Sequence, residues 1–380
     1  MASFRSLVAW PGVPLGIASA ALFGASTPLA KALLGQGVSP WLLAGLLYLG
    51  SGLGLGTVRL GSGLGLGAVR LGSGLGLGAV RLAARLRPSS GGETPLTARD
   101  APWMALVVAF GGVAGPLLLM LGLGATPASS AALLLNLEGL ATMAIAWMVF
   151  RENVDRRLLL GAAAILAGAV LLSWQGGPGG FGVGSLFIAG ACLAWGVDNN
   201  LTRRISGSDP VQIAMIKGLA AGAVNLALAL ALGARLPGAG MVMAAGAVGF
   251  LGYGVSLVLF VLALRHLGAA RTGAYFSTAP FIGALLALVL FAEPLTWRLG
   301  LAAVLMAVGL YLHLVERHEH QHRHEPLDHE HRHVHDAHHQ HAHRPGDPPG
   351  EPHAHPHRHA PLVHSHPHYP DLHHRHGHSR

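Results

Sequence analysis

The chain has 380 residues, of which 52% are hydrophobic and only 11% are charged, far below the proportion of charged residues in soluble domains. This composition excludes an ordinary soluble domain and predicts an integral membrane protein. The net charge of +8 is spread over short segments between apolar runs, so it gives no basis for a nucleic-acid partner.

Ten apolar stretches predict ten transmembrane helices, since each is long enough to cross about 30 Å of hydrocarbon at roughly 1.5 Å per residue. A bilayer offers no water to the backbone, which must therefore form helices. The fold class we expect is an all-α integral membrane protein in a lipid bilayer. The predicted spans are 11–34, 39–58, 102–124, 127–150, 158–174, 183–200, 211–233, 239–264, 272–292 and 298–315.

The distribution of arginine predicts the orientation of these spans. With a cytoplasmic N-terminus, most arginines before the C-terminal tail fall in inside segments, and the outside loops hold only Arg235 and Arg298. We therefore expect a multi-pass protein of the inner cell membrane with both termini in the cytoplasm. The run "GIASAALFGAS" could also be a cleaved signal peptide, but an uncleaved first helix accounts better for the charge bias.

Residues 51–83 repeat one eleven-residue unit three times, as "SGLGLGTVRLG", "SGLGLGAVRLG" and "SGLGLGAVRLA". The spacing of the glycines does not fit G-x-G-x-x-G and no strand precedes them, so a dinucleotide-binding loop is disfavoured. Removing two units leaves a normal second span and a basic loop. The extra copies are interpreted as a tandem duplication that is neutral for function.

A second repeat relates the two halves of the chain. Five residues recur 141 positions later, across the fourth-to-fifth and the ninth-to-tenth spans. An offset of five spans is odd, so the two copies must face opposite sides of the membrane. Such inverted repeats are typical of secondary transporters, whose binding site lies near the midplane. The first copies are Phe150, Glu152, Arg157, Ala162 and Gly168, and the second are Phe291, Glu293, Arg298, Ala303 and Gly309.

The stretches "APFIGALLALVLFAEPLTWRLGLAAVLMAVGLYL" (279–312), "LLLNLEGLATMAIAWMVFRENVDRRLLLGAAAILAGAVLL" (133–172) and "ACLAWGVDNNLTRRIS" (191–206) resemble the EamA-like branch of the drug/metabolite transporter superfamily. The resemblance implies two inverted five-helix halves and alternating access that is not driven by ATP. It implies a first repeat over 1–175, a second over 176–316 and a tail over 317–380. The family's proline is present as Pro280, but Glu138 and Gly139 replace it in the first half.

Glu138 lies about 16 Å deep in its predicted span by helical rise. A carboxylate there is costly unless it faces a wet cavity, pairs with a cation or is protonated. We interpret it as a proton-coupling or cation-binding group. The alternative is a buried structural acid that is hydrogen-bonded to a neighbour such as Asn136.

Two further charges lie inside predicted spans at matching depths, Asp198 in the sixth and Lys217 in the seventh, so an ion pair between them is geometrically feasible. The pair could be a gate that breaks during transport, or an anchor between adjacent helices. Lys31 lies near the outer end of the first span, where its side chain is expected to reach the interface.

Polar and aromatic residues near Asp198 are candidates for a metabolite cavity. Trp195, Asn199 and Asn200 flank it in sequence, and Tyr275 lies early in the ninth span. Trp and Tyr are equally expected at a membrane interface. Glu152 and Glu293 end their spans and are interpreted as structural loop anchors.

The C-terminal tail holds 23 of the 25 histidines and has few apolar residues, which predicts a disordered cytoplasmic segment. Alternating H-x-H sequence offers nitrogen ligands for Zn, Ni, Co or Cu ions, although no cofactor is expected to be required. Low-complexity drift or a pH-sensitive polycation are alternatives. Cys192 is the single cysteine, which excludes an intrachain disulfide. The candidate ligands are His318, His320, His322, His324, His329, His331, His333 and His335.

Three functions remain open from the sequence. The first is a proton- or exchange-coupled transporter of a small organic metabolite or drug that uses Glu138. The second is an exporter or sensor of divalent transition metals that uses the tail, and the third is a membrane scaffold. Nothing in the sequence indicates a hydrolytic or redox enzyme.

Overall fold

The structure is a computed structural model, which describes residues 12–63, 95–150, 156–174, 180–202, 204–205, 208–314, 319–324, 327–333, 353–359 and 362–367. Helices dominate these ranges, and two of the apolar helices contain a π-helical segment, at Val108–Ala114 and Phe250–Val255. A short 3₁₀ turn, Ala98–Asp100, precedes α3. The α-helices are α1 Gly12–Leu34, α2 Pro40–Gly63, α3 Ala101–Val107, α4 Gly115–Ala125, α5 Ala128–Leu134, α6 Leu137–Phe150, α7 Arg156–Ser173, α8 Val183–Thr202, α9 Pro210–Ala231, α10 Ala239–Gly249, α11 Ser256–Phe276, α12 Ala279–Phe291 and α13 Trp297–Leu314.

Helix occupies every one of the ten predicted spans. In the part of the chain that the structure describes, seven helical stretches are long and apolar enough to cross a membrane. The apolar helices α12 and α13 are shorter. The chain is therefore a helical, multi-pass membrane protein. The seven stretches are Gly12–Leu34, Pro40–Arg59, Ala98–Ala125, Ala128–Val149, Arg156–Ser173, Val211–Ala231 and Ala239–Ala263.

The predicted fourth span is not one continuous helix. It consists of α5 and α6, which a turn at Leu135–Asn136 separates. The side chain of Asn136 donates from Nδ2 to the carbonyl oxygen of Leu133 at 2.8 Å and competes with the helical hydrogen bond there. Glu138 consequently lies in the first turn of α6, where the helix dipole favours a negative charge.

The boundary between the eighth and ninth predicted spans lies within the bounds of α11. The rings of Phe260 and Phe276 are 4.9 Å apart, whereas a straight helix would separate these residues by about 24 Å. The chain therefore reverses direction between them. This reversal agrees with the loop predicted at 265–271, although helical hydrogen bonding continues through it.

Close glycine contacts define how the helices run past each other. Along α2 from Gly45 to Gly52, the neighbouring residues of α9 run from Leu226 back to Gly218, so these two helices are antiparallel. A Cβ added to Gly218 would approach the backbone nitrogen of Gly52 to 2.7 Å. Small residues thus bring the backbones of α2 and α9 into direct contact, as is common between membrane helices.

Other neighbours follow the same alternation. Helix α8 packs antiparallel to α4 and parallel to α6, and α7 packs antiparallel to α13. Helix α1 contacts both α11 and α12. The buried core lies along these contacts and includes Leu43, Met120, Leu134 and Ile188.

The first repeat unit is part of α2, while the second and third lie largely outside the described residues. Ser51 and Leu55 are buried, and Arg59 pairs with Asp209, with Nη1 2.9 Å from Oδ2. Asp209 also caps α9, since its side chain accepts from the amides of Val211 and Gln212. The first unit therefore makes the contacts that tie this end of α2 to α9.

Deleting residues 61–82 should leave folding intact, because it removes the duplicated units and retains Ser51, Leu55 and Arg59. We expect the melting temperature of the purified protein to stay within about 2 °C of that of the full chain, because the contacts that tie this end of α2 to α9 are retained. The matched control is Arg59→Ala, which should lower the melting temperature of either chain. A large loss of folded protein on deletion would contradict the interpretation of the extra copies.

Four short strands lie in the C-terminal tail, for which composition predicts disorder. β1 Glu319–His324 pairs antiparallel with β4 Leu362–Pro367, and β2 Leu327–His333 pairs antiparallel with β3 His353–His359. The alternating H-x-H sequence has the two-residue period of a strand, which the prediction from composition did not take into account.

Candidate functional site

Glu138 is held by polar side chains of α6 and α8, which we call the Glu138 cluster (Glu138, Thr142 and Asn199). Nδ2 of Asn199 donates to Oε1 of Glu138 at 3.0 Å and to Oγ1 of Thr142 at 3.1 Å. Oγ1 of Thr142 donates to the carbonyl oxygen of Glu138 at 2.9 Å. The carboxylate is therefore fixed by a neutral amide.

The Glu138 cluster faces the interior of the bundle. On α8 the exposed residues Leu186 and Leu193 mark the lipid side. Asn199 lies about 120° around the helix from Leu193, between the sides that pack on α4 and α6. Asn199 is nevertheless exposed and Glu138 half-buried, so protein does not enclose these side chains on every side.

Among the described residues no hydrogen bond joins Asn136 to Glu138, so the alternative of a structural acid bonded to Asn136 gains no support. The side chain of Asn136 donates to the carbonyl oxygen of Leu133 and lies 3.8 Å from Sδ of Met306. The turn at Leu135–Asn136 directs the two side chains to different neighbours. Asn200 supports the cluster from α8, since its Nδ2 donates to the carbonyl oxygen of Thr142 at 3.1 Å.

The ion pair that the sequence suggests between Asp198 and Lys217 is present. Nζ of Lys217 donates to Oδ2 of Asp198, and the two side chains are 19% and 6% exposed, respectively. Oγ1 of Thr202 donates to the other carboxylate oxygen at 3.2 Å. The pair joins α8 to α9 and is largely removed from solvent.

Gly111 organises the surroundings of this pair. It lies in the first π-helical segment, and a Cβ at this position would collide with the carboxylate of Asp198. Its carbonyl oxygen accepts from Oη of Tyr48 at 2.7 Å and from Nε1 of Trp195 at 3.1 Å. In the π-helical segment this carbonyl oxygen can accept hydrogen bonds from side chains. Segments of this kind are frequent at functional sites.

A buried amide extends this polar region along α9. Nδ2 of Asn225 donates to the carbonyl oxygen of Gly112 at 2.8 Å, and Asn225 is fully buried. Among the residues whose side chains the structure describes, Oδ1 of Asn225 has no hydrogen-bond partner. Asp198, Lys217 and Asn225 thus lie beside the same π-helical segment.

Charged residues also meet at one end of the bundle, in what we call the Glu293 clamp (Lys31, Glu293 and the chain between α4 and α5). The carboxylate of Glu293 accepts from the amides of Ala128 at 2.7 Å and Ser129 at 3.0 Å, and from Oγ of Ser129. Nζ of Lys31 donates to the carbonyl oxygens of Leu123 and Thr126. Lys31 thus binds backbone carbonyls, where the sequence predicts only a side chain that reaches the interface.

Other predicted site residues lie elsewhere. Tyr275 packs beside Gly16 of α1, away from the contacts of the Glu138 cluster. Among the described residues, no group of three His, Cys, Asp or Glu side chains could hold a metal ion. The predicted histidine ligands have side chains outside the described residues, and for His318 and His335 this includes the backbone. Glu152 also lies outside them.

Sequence reasoning missed Thr142, Tyr48, Asn225 and Gly111. Thr142 follows Glu138 by four residues, a helical spacing that places both on one face, so it could have been found. Tyr48 and Asn225 are isolated polar side chains in apolar runs, and their partners belong to distant helices. The role of Gly111 depends on a π-helical segment, which hydropathy does not reveal.

Comparison with known proteins agrees with this architecture. The chain is 31% identical over 208 residues to an uncharacterized transporter of Methanothermobacter thermautotrophicus. That match covers 53% of this chain and 60% of the relative, so the chain spans about three fifths of that protein. A crystal structure of another protein aligns with 80% of this chain and covers 95% of that protein's chain, with a TM-score of 0.53 and 22% identity. This likeness shows the fold alone.

The family comparison is the more extensive one. The model of the EamA-like transporter family matches this chain twice, over residues 10–174 and 182–315. Together the two matches cover most of the chain and nearly all of its apolar helices. The chain therefore belongs to the EamA-like transporter family.

Proposed function

We propose that this EamA-like transporter is a secondary-active carrier of a small organic metabolite or drug. It works by alternating access and is coupled to protons or to exchange through Glu138. The observation that carries the proposal is the contrast between two carboxylates. Asp198 is paired with Lys217, whereas Glu138 forms no ion pair among the described residues. A half-buried carboxylate held only by neutral groups remains available to a proton or a cation.

The architecture of the carrier is proposed as ten crossings in two inverted halves. Two successive matches to one family model support two repeats. The π-helical segments support the same relation, since Gly111 and Gly252 both lie in such segments and are spaced by 141 residues. Five crossings in each half give the halves opposite orientations.

The pattern of contacts also favours this arrangement. In the proposed repeat, α4 corresponds to α11 and α8 corresponds to α1. The contact of α4 with α8 then corresponds to the contact of α11 with α1. Likewise α6 corresponds to α12, so the contact of α6 with α8 corresponds to the contact of α12 with α1. A twofold relation of this kind encloses a site between the halves, where discontinuous helices bind ligands in transporters.

Within this proposal, Glu138 and Asn199 contact the substrate or the coupling ion, and Trp195 and Tyr48 shape the wall through Gly111. The pair of Asp198 and Lys217 is either a gate or an anchor. The carrier is placed in the inner cell membrane with cytoplasmic termini, on the evidence of the arginine distribution alone. No observation supports metal export, so the tail is left without an assigned role.

Glu138→Gln should abolish proton-coupled accumulation in proteoliposomes, because glutamine keeps the hydrogen bond from Asn199 but cannot exchange a proton. The substrate is first found by screening amino acids, nucleosides and other metabolites with the wild-type protein. Uptake driven by a proton gradient is then compared, and at least about a hundredfold loss is expected for a group that carries the coupling step.

The matched control is Asp100→Asn, which removes a carboxylate from the 3₁₀ turn that precedes α3 and should leave coupling intact. Counterflow exchange without a proton gradient separates the two forms of coupling. If Glu138→Gln retains proton-driven uptake at the wild-type rate, the proposed role of this residue is wrong.

A further inference from the structure

Pro116 lies where the first π-helical segment ends and α4 begins. In the π-helical pattern each amide donates to the carbonyl oxygen five residues earlier, as the amide of Gly115 does to that of Phe110. The next amide would belong to residue 116 and would donate to Gly111. Proline has no amide hydrogen, so this bond cannot form and the π-helical pattern stops.

The same proline leaves a second carbonyl group without its helical donor. In an α-helix the amide of residue 116 would donate to the carbonyl oxygen of Gly112, four residues earlier. Pro116 therefore removes the backbone donor of Gly111 in one geometry and that of Gly112 in the other. A buried carbonyl group that loses its donor costs free energy unless another donor replaces it.

Side chains from three other helices supply the missing donors. The carbonyl oxygen of Gly111 accepts from Oη of Tyr48 at 2.7 Å and from Nε1 of Trp195 at 3.1 Å. The carbonyl oxygen of Gly112 accepts from Nδ2 of Asn225 at 2.8 Å. All three donor side chains are buried. Because α2 belongs to the first family match and α8 and α9 belong to the second, the two carbonyl groups join helices of both matches.

The second π-helical segment repeats this geometry without the proline. The amide of Ser256 donates to the carbonyl oxygen of Leu251, 141 residues after the corresponding bond in the first segment. Leu257 stands where the repeat would place Pro116, and it has an amide hydrogen to donate. Of the two segments, the first is therefore the one that lacks a backbone donor at this position, and it is the one that packs against Asp198.

We propose that Pro116 is a positioning residue of the transport site: by withholding one amide hydrogen, it keeps two carbonyl groups available to side chains of α2, α8 and α9. The indole of Trp195 is held in this way on the side of α8 that carries Asp198 and Asn199, which follow it by three and four residues. The consequence for transport rests on the proposed function, whereas the exchange of hydrogen-bond donors does not. A restored amide hydrogen would compete with the side chains for the carbonyl groups.

Pro116→Ala restores the amide hydrogen, and lactic acid introduced at position 116 by nonsense suppression gives the same methyl side chain with an ester oxygen in place of the amide. Alanine should weaken the hydrogen bond of Trp195 and shift its indole N–H resonance upfield in NMR spectra of the protein in nanodiscs, with the resonance assigned by Trp195→Phe. Transport of the substrate found by screening should fall about fivefold, as expected for the loss of one net hydrogen bond. Lactic acid, which like proline has no hydrogen to donate, should restore both values.

The comparison of alanine with lactic acid decides the outcome. Equal loss with both, whether of transport or of folded protein, would show that the proline ring matters and not the missing hydrogen, and would overturn the proposal. An unchanged resonance with alanine would also overturn it, whereas loss of folded protein with alanine alone supports it. Pro102→Ala, which adds an amide hydrogen at the exposed start of α3, is the matched control and should change neither value.

Asn225→Leu tests the second carbonyl group through stability. It leaves Gly112 without a donor while Pro116 is present, so the melting temperature in nanodiscs should fall by about 4 °C. Combined with Pro116→Ala, the same substitution should cost much less, because the restored amide can donate to Gly112. Equal losses in both backgrounds would contradict the proposal. If these results hold while Glu138→Gln leaves proton coupling intact, the coupling role alone is wrong; if they fail while coupling is lost, the role of Pro116 alone is wrong.

Discussion

Asp198→Ala should destabilise the protein by about 3–5 kcal/mol, because it leaves the charge of Lys217 buried without a partner. It also removes the acceptor of Thr202 and opens space against Gly111. The expected measurement is the free energy of unfolding in mixed micelles. This loss is among the two largest that we expect from a single substitution, because both members of the pair lie within apolar helices.

The double variant Asp198→Asn with Lys217→Met should recover most of the stability, since it removes both charges and leaves similar volumes. It also separates the two interpretations of the pair. A folded double variant that no longer transports indicates a gate, and one that transports normally indicates an anchor. If Asp198→Asn and Lys217→Met alone each lower the free energy of unfolding by less than about 1 kcal/mol, the pair behaves as a solvated surface contact and the argument from burial is wrong.

Gly111→Ala is the second substitution with a large expected effect. A methyl group at this position would overlap the carboxylate of Asp198, so the ion pair, the π-helical segment or both must shift. We expect a loss of about 1–3 kcal/mol, the usual cost of overpacking a closely packed site. Transport should fall as well, because the carbonyl of Gly111 orients Tyr48 and Trp195.

Gly246→Ala provides the matched control for this effect. A Cβ at Gly246, which also lies within an apolar helix, meets no atom within 4 Å among the described residues. Alanine there should be neutral or stabilising by about 1 kcal/mol through helix propensity. Equal losses for the two variants would show that the glycine-to-alanine change itself, and not contact with Asp198, causes the defect.

Hydropathy was sufficient to locate the helices, because the length of apolar sequence and the demand for backbone hydrogen bonds act locally. The pairing of Asp198 with Lys217 was also predictable, since buried charges need partners and their depths match. The break before Glu138 was not, because it depends on one side-chain hydrogen bond of Asn136. The partner of Glu293 lies more than 160 residues away in sequence, at Ala128 and Ser129.

Repetition in the sequence was informative to different degrees. The 141-residue spacing of the five recurring residues is also the spacing of Gly111 and Gly252, which both lie in π-helical segments. The tail is predicted to be disordered from its composition, whereas the alternation of its histidines has the two-residue period of a strand. Local pattern and overall composition therefore need to be weighed together in such segments.

The glycine contact between α2 and α9 has a mechanical consequence. Gly45 and Gly52 on one helix and Gly218 on the other bring the two main chains into direct contact. Sliding of α2 along α9 requires less repacking of rotamers than sliding between two helices whose leucine side chains interlock. The two proposed repeats would therefore slide most easily along the contact between α2 and α9.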